Sequence, residues 1–142
     1  MLDPTGLVVC AAVLAGATAF GAVRATRLGR LRRRRSDADR QLSAADLGAT
    51  LGARVTLVQF STTRCAACPP ARRLLHDLAT TTPGATHIEI DAETRPDLVT
   101  RFGILRTPTV LVLDPHGRLV GRASGPPRRA EVTAAIEAAT AA

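Results

Sequence analysis

Cys65-Ala66-Ala67-Cys68 is the stretch of this sequence best equipped for chemistry. Two thiols at that spacing can close a small disulfide and reopen it, and between a strand and a helix the spacing reads as a redox pair. The residues on either side supply that setting. A β-branched run, residues 55–60, precedes the pair, and Leu74, Leu75 and Leu78 follow it at helical spacing. This places Cys65 in the first turn of the helix. There, unpaired N–H groups and the positive end of the helix dipole favour thiolate over thiol. Cys68 lies one turn further in, less exposed. Arg64 adds a positive charge beside Cys65 that depresses the thiol pKa further. A zinc site would need four ligands. His76, His87 and His116 bring no second Cys-x-x-Cys and no His-x₃₋₅-His spacing, so no metal and no cofactor is expected. A purely structural disulfide is disfavoured in a reducing compartment.

The elements that must hold this pair follow from pattern. Ser43, with Asp46 three residues on, predicts a helix N-cap and a short helix to about Leu51, stopped by Gly52. Residues 55–60 predict a strand, and the helix after the cysteines runs to about Thr80. Pro83-Gly84 is a turn. Residues 86–91 predict a second strand, and Pro96 opens a helix that Gly103 closes. Residues 109–113 predict a third strand. Asp114-Pro115-His116-Gly117 then turns the chain into a fourth, residues 118–123, as a hairpin. A last helix, about 128–139, places Val132, Ile136 and Ala139 on one face. The order αβαβαββα implies an α/β fold with a mixed central sheet and helices on both faces. Strands separated by helices are expected to pair in parallel, with the hairpin adding an antiparallel edge.

The charge of the 142-residue chain points elsewhere. Nineteen Arg, no Lys and 12 acids give +7. Eight of the Arg (24, 27, 30, 32–35 and 40) lie in the first forty residues, against Asp3, Asp37 and Asp39. These follow an uncharged run, residues 6–23, which as a helix would span about 27 Å, close to a bilayer core of about 30 Å. Asp3, with no basic residue, precedes the run, so a cleaved secretory signal fits poorly. A single N-terminal transmembrane helix accounts for both features. Arginine is held on the cytoplasmic side, which places the N-terminus outside and the following domain in the cytoplasm. Arg32–Arg35 would lie against anionic headgroups. Cys10 is a small apolar filler in this helix. With no Trp, no Tyr and three Phe, a stacking surface for single-stranded nucleic acid is not expected.

Three segments together carry a resemblance. The stretch 55–78 around Cys65-Ala66-Ala67-Cys68, the stretch Arg101-Phe102-Gly103-Ile104-Leu105-Arg106-Thr107-Pro108-Thr109-Val110, and the glycine-containing turn 121–125 resemble the thioredoxin family. The resemblance covers residues 42–142, with residues 1–28 as a membrane anchor and 29–41 as a basic juxtamembrane linker. It implies a thioredoxin-like fold and a thiol–disulfide oxidoreductase, with Cys65 as the attacking nucleophile and Cys68 as the resolving thiol. In that family the proline before the third strand is cis and faces the active-site disulfide. Pro108 matches it, with Thr107 before it offering its backbone to an extended substrate segment. The implied partners are protein disulfides and a dithiol electron donor.

Two departures bear on mechanism. The family usually has Trp before the first Cys, where this chain has Arg64. It usually has a buried acid six residues before that Cys, where this chain has Gln59, which can hydrogen-bond but cannot take a proton at neutral pH. Water or another group must then serve the resolving thiol, or the resolving step is slower. His87, near where thioredoxins commonly carry a lysine, is expected to be a strand histidine facing solvent. The leading expectation is a membrane-tethered cytoplasmic disulfide reductase. The alternatives are the same domain outside the membrane, exchanging disulfides or serving cytochrome maturation, and a non-catalytic adaptor.

Overall fold

The computed structural model describes residues 13–18 and 41–141. The chain divides into two units, residues 1–36 and 37–142. In the first, residues 13–18 are helical (α1), with Thr18 Oγ1 donating to the carbonyls of Leu14 and Ala15 at 2.9 and 3.0 Å. The rest of the apolar run 6–23, and all but Gln41 of the basic linker 29–41, lie outside the described residues. Among the described residues no helix is long and apolar enough to cross a membrane.

The second unit runs α2 (Ala44–Leu47), β1 (Val55–Ser61), α3 (Cys68–Thr81), β2 (Ala85–Asp91), α4 (Pro96–Phe102), β3 (Thr109–Leu113), β4 (Leu119–Ser124) and α5 (Arg129–Thr140). The four strands form one sheet in the order β2-β1-β3-β4. All seven residues of β1 are buried, as a β-branched run is when its strand is covered on both faces. The pleat sends alternate side chains to two cores. Val58 and Phe60 meet Ile88, Ile90 and Leu111, with Leu47 of α2 and Leu98 and Phe102 of α4. Val55 and Leu57 meet Val110 and Val112, with Leu75 and Leu78 of α3 and Val132, Ile136 and Ala139 of α5. Helices therefore cover both faces, α2 and α4 on one and α3 and α5 on the other.

Two local expectations are corrected. First, β1 and β2 pair in parallel across α3, but β3 runs antiparallel to β1 although a helix precedes it. A parallel return would have to carry the chain back along a strand of about 23 Å. The seven residues of α4 span about 10 Å and do not run the length of that strand. The chain instead turns at the end of the sheet where β2 leaves it and re-enters in the opposite direction. Second, α2 is four residues long and ends at Gly48, not near Leu51. The predicted cap is present: Ser43 Oγ accepts from the Asp46 N–H at 3.1 Å, and the Asp46 carboxylate accepts from the Ser43 N–H at 2.8 Å. Gly48 then takes a left-handed conformation (φ 63°), open to glycine at little cost, and the Ala49 N–H closes onto Ala44 O. Gly52 has a different role. A Cβ there would lie 2.1 Å from the Val55 carbonyl oxygen, so only glycine lets the chain pass into β1.

Candidate active site

The cysteines sit where β1 ends and α3 begins. The connecting turn is closed by the Cys65 N–H donating to Thr62 O at 3.2 Å and the Cys68 N–H donating to Cys65 O at 3.1 Å. Cys65 and Cys68 are joined by a disulfide, with Cα atoms 5.4 Å apart. Cys68 is 2% exposed, whereas Cys65 is only half-buried. Of the two sulfurs, Cys65 is therefore the one on the solvent side.

Cys65 is not in the helix, contrary to the sequence reading; Cys68 is its first residue. Pro69 and Pro70 are the reason. In a helix started at Cys65, the second and third intrahelical bonds would be donated by residues 69 and 70, and proline has no N–H to donate. Started at Cys68, the same prolines fall in the first turn, where missing donors cost nothing. The first helical bond is then Ala71 N–H to Ala67 O at 3.3 Å. The unpaired first-turn N–H groups expected to stabilise a Cys65 thiolate are consequently absent from α3. Cys68 donates to Cys65, Ala71 donates to Ala67, and the two prolines donate nothing. The aligned peptide dipoles of α3 remain, with Arg64, which is exposed and without a hydrogen bond or ion pair among the described residues.

Gln59 lies behind the disulfide in the middle of β1, fully buried. Its Nε2 donates to the Cys68 carbonyl oxygen at 3.1 Å, which ties the strand to the start of the helix. Its Oε1 has no partner among the described residues. The Thr62 and Thr107 hydroxyls lie 3.2 Å apart, joining the cysteine loop to the loop before β3. The Thr107–Pro108 peptide bond is cis, and the buried Pro108 accepts from the Gly125 N–H at 2.8 Å. A groove of about 290 Å³ opens beside these loops. It is lined by Thr62, Val99, Ile104, Leu105, Arg106 and Thr107, and Leu105 is 91% exposed at its rim. The structure thus gathers Cys65, Cys68, Gln59, Thr107 and Pro108 from three separate stretches of chain.

A second group of side chains lies on the same face, and of these the sequence reading named only His87. Glu89 stands opposite Gln59 on β2. Arg72 of α3 grips it through two hydrogen bonds, at 2.5 and 2.7 Å, and Ser61 Oγ donates to it at 2.5 Å. These bonds, Arg72 foremost, hold the Glu89 carboxyl below the usual carboxylate range, against a smaller opposing effect of burial. His87, two residues earlier on β2, is half-buried against α3 instead of facing solvent. Burial pushes its imidazole below the usual histidine value; Glu89 opposes that shift, and His76 and Arg72 reinforce it. His87 Nε2 also has no partner among the described residues. Strand alternation alone could have put Glu89 and His87 on one face. Which face, and against which helix, depends on a register that the linear chain does not display.

No protein-family model matches the chain, and no curated protein matches it in sequence. Solved structures do match in shape. A mutant thioredoxin from Halobacterium salinarum superposes with a TM-score of 0.57 at 23% identity, over 67% of this chain and 80% of that one. Thioredoxin f from spinach chloroplast gives 0.55 at 22% identity, over 62% and 78%. Fasciola hepatica thioredoxin gives 0.54 at 20% identity, over 61% and 82%. The chain has a thioredoxin-like α/β fold.

Proposed function

We propose that this chain is a thiol–disulfide oxidoreductase that reduces protein disulfides through Cys65 and Cys68. The observation that carries this reading is the Cys65–Cys68 disulfide between β1 and α3, with Cys65 on the solvent side and Cys68 buried. In the reduced protein, the Cys65 thiolate attacks one sulfur of a substrate disulfide. That bond breaks, one substrate sulfur leaves as thiolate and takes a proton, and a mixed disulfide remains on Cys65. The Cys68 sulfur then loses its proton and attacks Cys65 Sγ. The second substrate sulfur leaves, and the Cys65–Cys68 bond is formed. The substrate has gained two electrons and the protein has lost two, which a dithiol donor restores by the same exchange in reverse. Thr107, with the cis Pro108 after it, borders the groove where an extended substrate segment would lie, and the exposed Leu105 gives that segment an apolar contact. Arg64, next to Cys65 in the chain, and Gln59, bonded to the Cys68 carbonyl, are the residues placed to tune the pair.

The apolar run 6–23 and the arginines that follow it support a tether in the membrane with the folded domain in the cytoplasm. Reporter fusions at the C-terminus test the orientation. A cytoplasmic reporter signal is expected, and an external one overturns it. For the chemistry, the full chain in detergent is expected to reduce insulin disulfides with dithiothreitol as donor, and Cys65→Ser is expected to abolish this. Activity that survives Cys65→Ser refutes the mechanism.

A further inference from the structure

Among the described residues, two buried side-chain polar atoms lack a partner: Gln59 Oε1 and His87 Nε2. Leaving such atoms unpaired is costly, so a native pair of them calls for a reason. They are neighbours by register. In the parallel ladder Gln59 stands opposite Glu89, and Leu57 opposite His87, so Gln59 and His87 are diagonal on one sheet face. Such positions are one strand over and two residues along, about 8 Å apart at the backbone, and long side chains on one face bring their tips within about 5–6 Å, the length of two hydrogen bonds, which one water bridges. That face is the one under α3. Gln59 donates to the Cys68 carbonyl there, and His87 lines a groove with Arg72, Arg73, His76 and Asp77. The Cys68 carbonyl also fixes the amide: only the NH₂ can donate to it, so the free atom is the acceptor Oε1.

We propose that His87 takes the proton of the Cys68 thiol through one water held between His87 Nε2 and Gln59 Oε1. The inference rests on the oxidoreductase reading above and adds the proton's destination. Such a water donates one hydrogen to Oε1 and the other to Nε2, and accepts from the Cys68 S–H, so all three groups are paired. When Cys68 Sγ attacks Cys65 Sγ, its proton passes to the water and a water proton passes to Nε2. The new S–S bond forms and the substrate thiolate leaves. The imidazolium then releases its proton to solvent through the groove of about 440 Å³ that the ring lines. His87 acts through the water and not on the sulfur, so it is a positioning residue.

The alternative acceptor is closed off. Glu89 faces Gln59 directly, but Arg72 and Ser61 occupy its carboxylate and keep it ionised, a poor proton acceptor. The groups facing His87 are Glu89 on its own strand, Gln59 on β1, and Arg72, Arg73, His76 and Asp77 on α3. Burial keeps the imidazole neutral at neutral pH, the form that accepts a proton.

The test is stopped-flow reaction of the reduced full chain with Ellman's reagent from about pH 5 to about pH 9. The first thionitrobenzoate is released when Cys65 forms the mixed disulfide, and the second when Cys68 resolves it. In the wild type the second phase is expected to fall as His87 protonates, with an inflection below the ordinary histidine pKa. His87→Gln and His87→Leu are expected to leave the first phase unchanged. Both slow the second phase about 100-fold at neutral pH, the lower end of general-base effects, and erase that inflection. A wild-type second phase without the inflection overturns the proposal. So does a variant whose profile keeps it, or one that slows both phases equally. A wild type that shows no first phase overturns the oxidoreductase reading itself, an outcome distinct from these.

Discussion

Gln59→Glu reports directly on how dry the space behind Cys68 is. The Gln59 side chain is fully buried and donates to the Cys68 carbonyl at 3.1 Å. A glutamate of the same shape keeps that bond only as the neutral acid, because a carboxylate cannot donate. Ionised, it presses a negative oxygen against a carbonyl oxygen, with the Glu89 carboxylate opposite on the next strand. Burial raises a glutamic acid by as much as about 3–5 units from its ordinary value of about 4.3. A rise of about 3 units, at about 1.4 kcal/mol each, makes the full penalty about 4 kcal/mol. That is a large share of the total of about 5–15 kcal/mol typical of a domain. The folded pKa lies above the unfolded one, so full stability is present below the unfolded value and is lost as pH rises through the folded value. The assay is urea unfolding of the oxidised wild type and variant at closely spaced pH values. The two are expected to agree near pH ~4, to diverge by about 1.4 kcal/mol per pH unit, and to level off near pH ~7. A stability gap that does not change with pH would show that bulk solvent, beyond a single bound water, screens a charge at position 59, and would refute the reasoning.

Arg72→Ala releases Glu89 from its two hydrogen bonds, so the Glu89 carboxyl is expected to titrate higher, nearer the ordinary range, in a carboxyl-detected NMR titration. Glu89 is depressed in the wild type, so its stabilising share is present above the unfolded pKa and fades as pH falls through the folded one. The acid arm of the stability profile is accordingly expected to be shallower in the variant. Leu75→Ala empties a fully buried position beneath α3 and is expected to cost about 2–5 kcal/mol in urea unfolding, while leaving thiol exchange intact below the lowered melting temperature.

Much of the site was legible because it depends on local chemistry. The cysteine pair, the strand before it and the leucines after it are adjacent in the chain or fixed by simple offsets, whereas Pro108 stood out only through the resemblance to thioredoxins. The inward face of α5, Val132, Ile136 and Ala139, followed from periodicity alone. The cysteine motif alone suggests a helix beginning at Cys65, and the two prolines beside it move the start to Cys68. Pro69 and Pro70 were present in the sequence and already excluded a helix beginning at Cys65. The antiparallel pairing of β3 is a different case: residues 92–108 turn the chain at that end of the sheet, and the order of strands and helices does not display that direction.

The Glu89 clamp and the unpaired Nε2 of His87 belong to another category. Gln59 and Glu89 are thirty residues apart in sequence, and nothing in either segment states that they face one another. The register Val55↔Ala85 decides that, and a slip of one residue would have turned Glu89 and His87 to the opposite face. By itself the sequence determined which groups can exchange electrons, which strands exist, and where a membrane segment is expected. The tertiary structure alone decided which polar atoms surround the buried sulfur, because side chains from different strands become neighbours only when the sheet pairs and α3 closes over it.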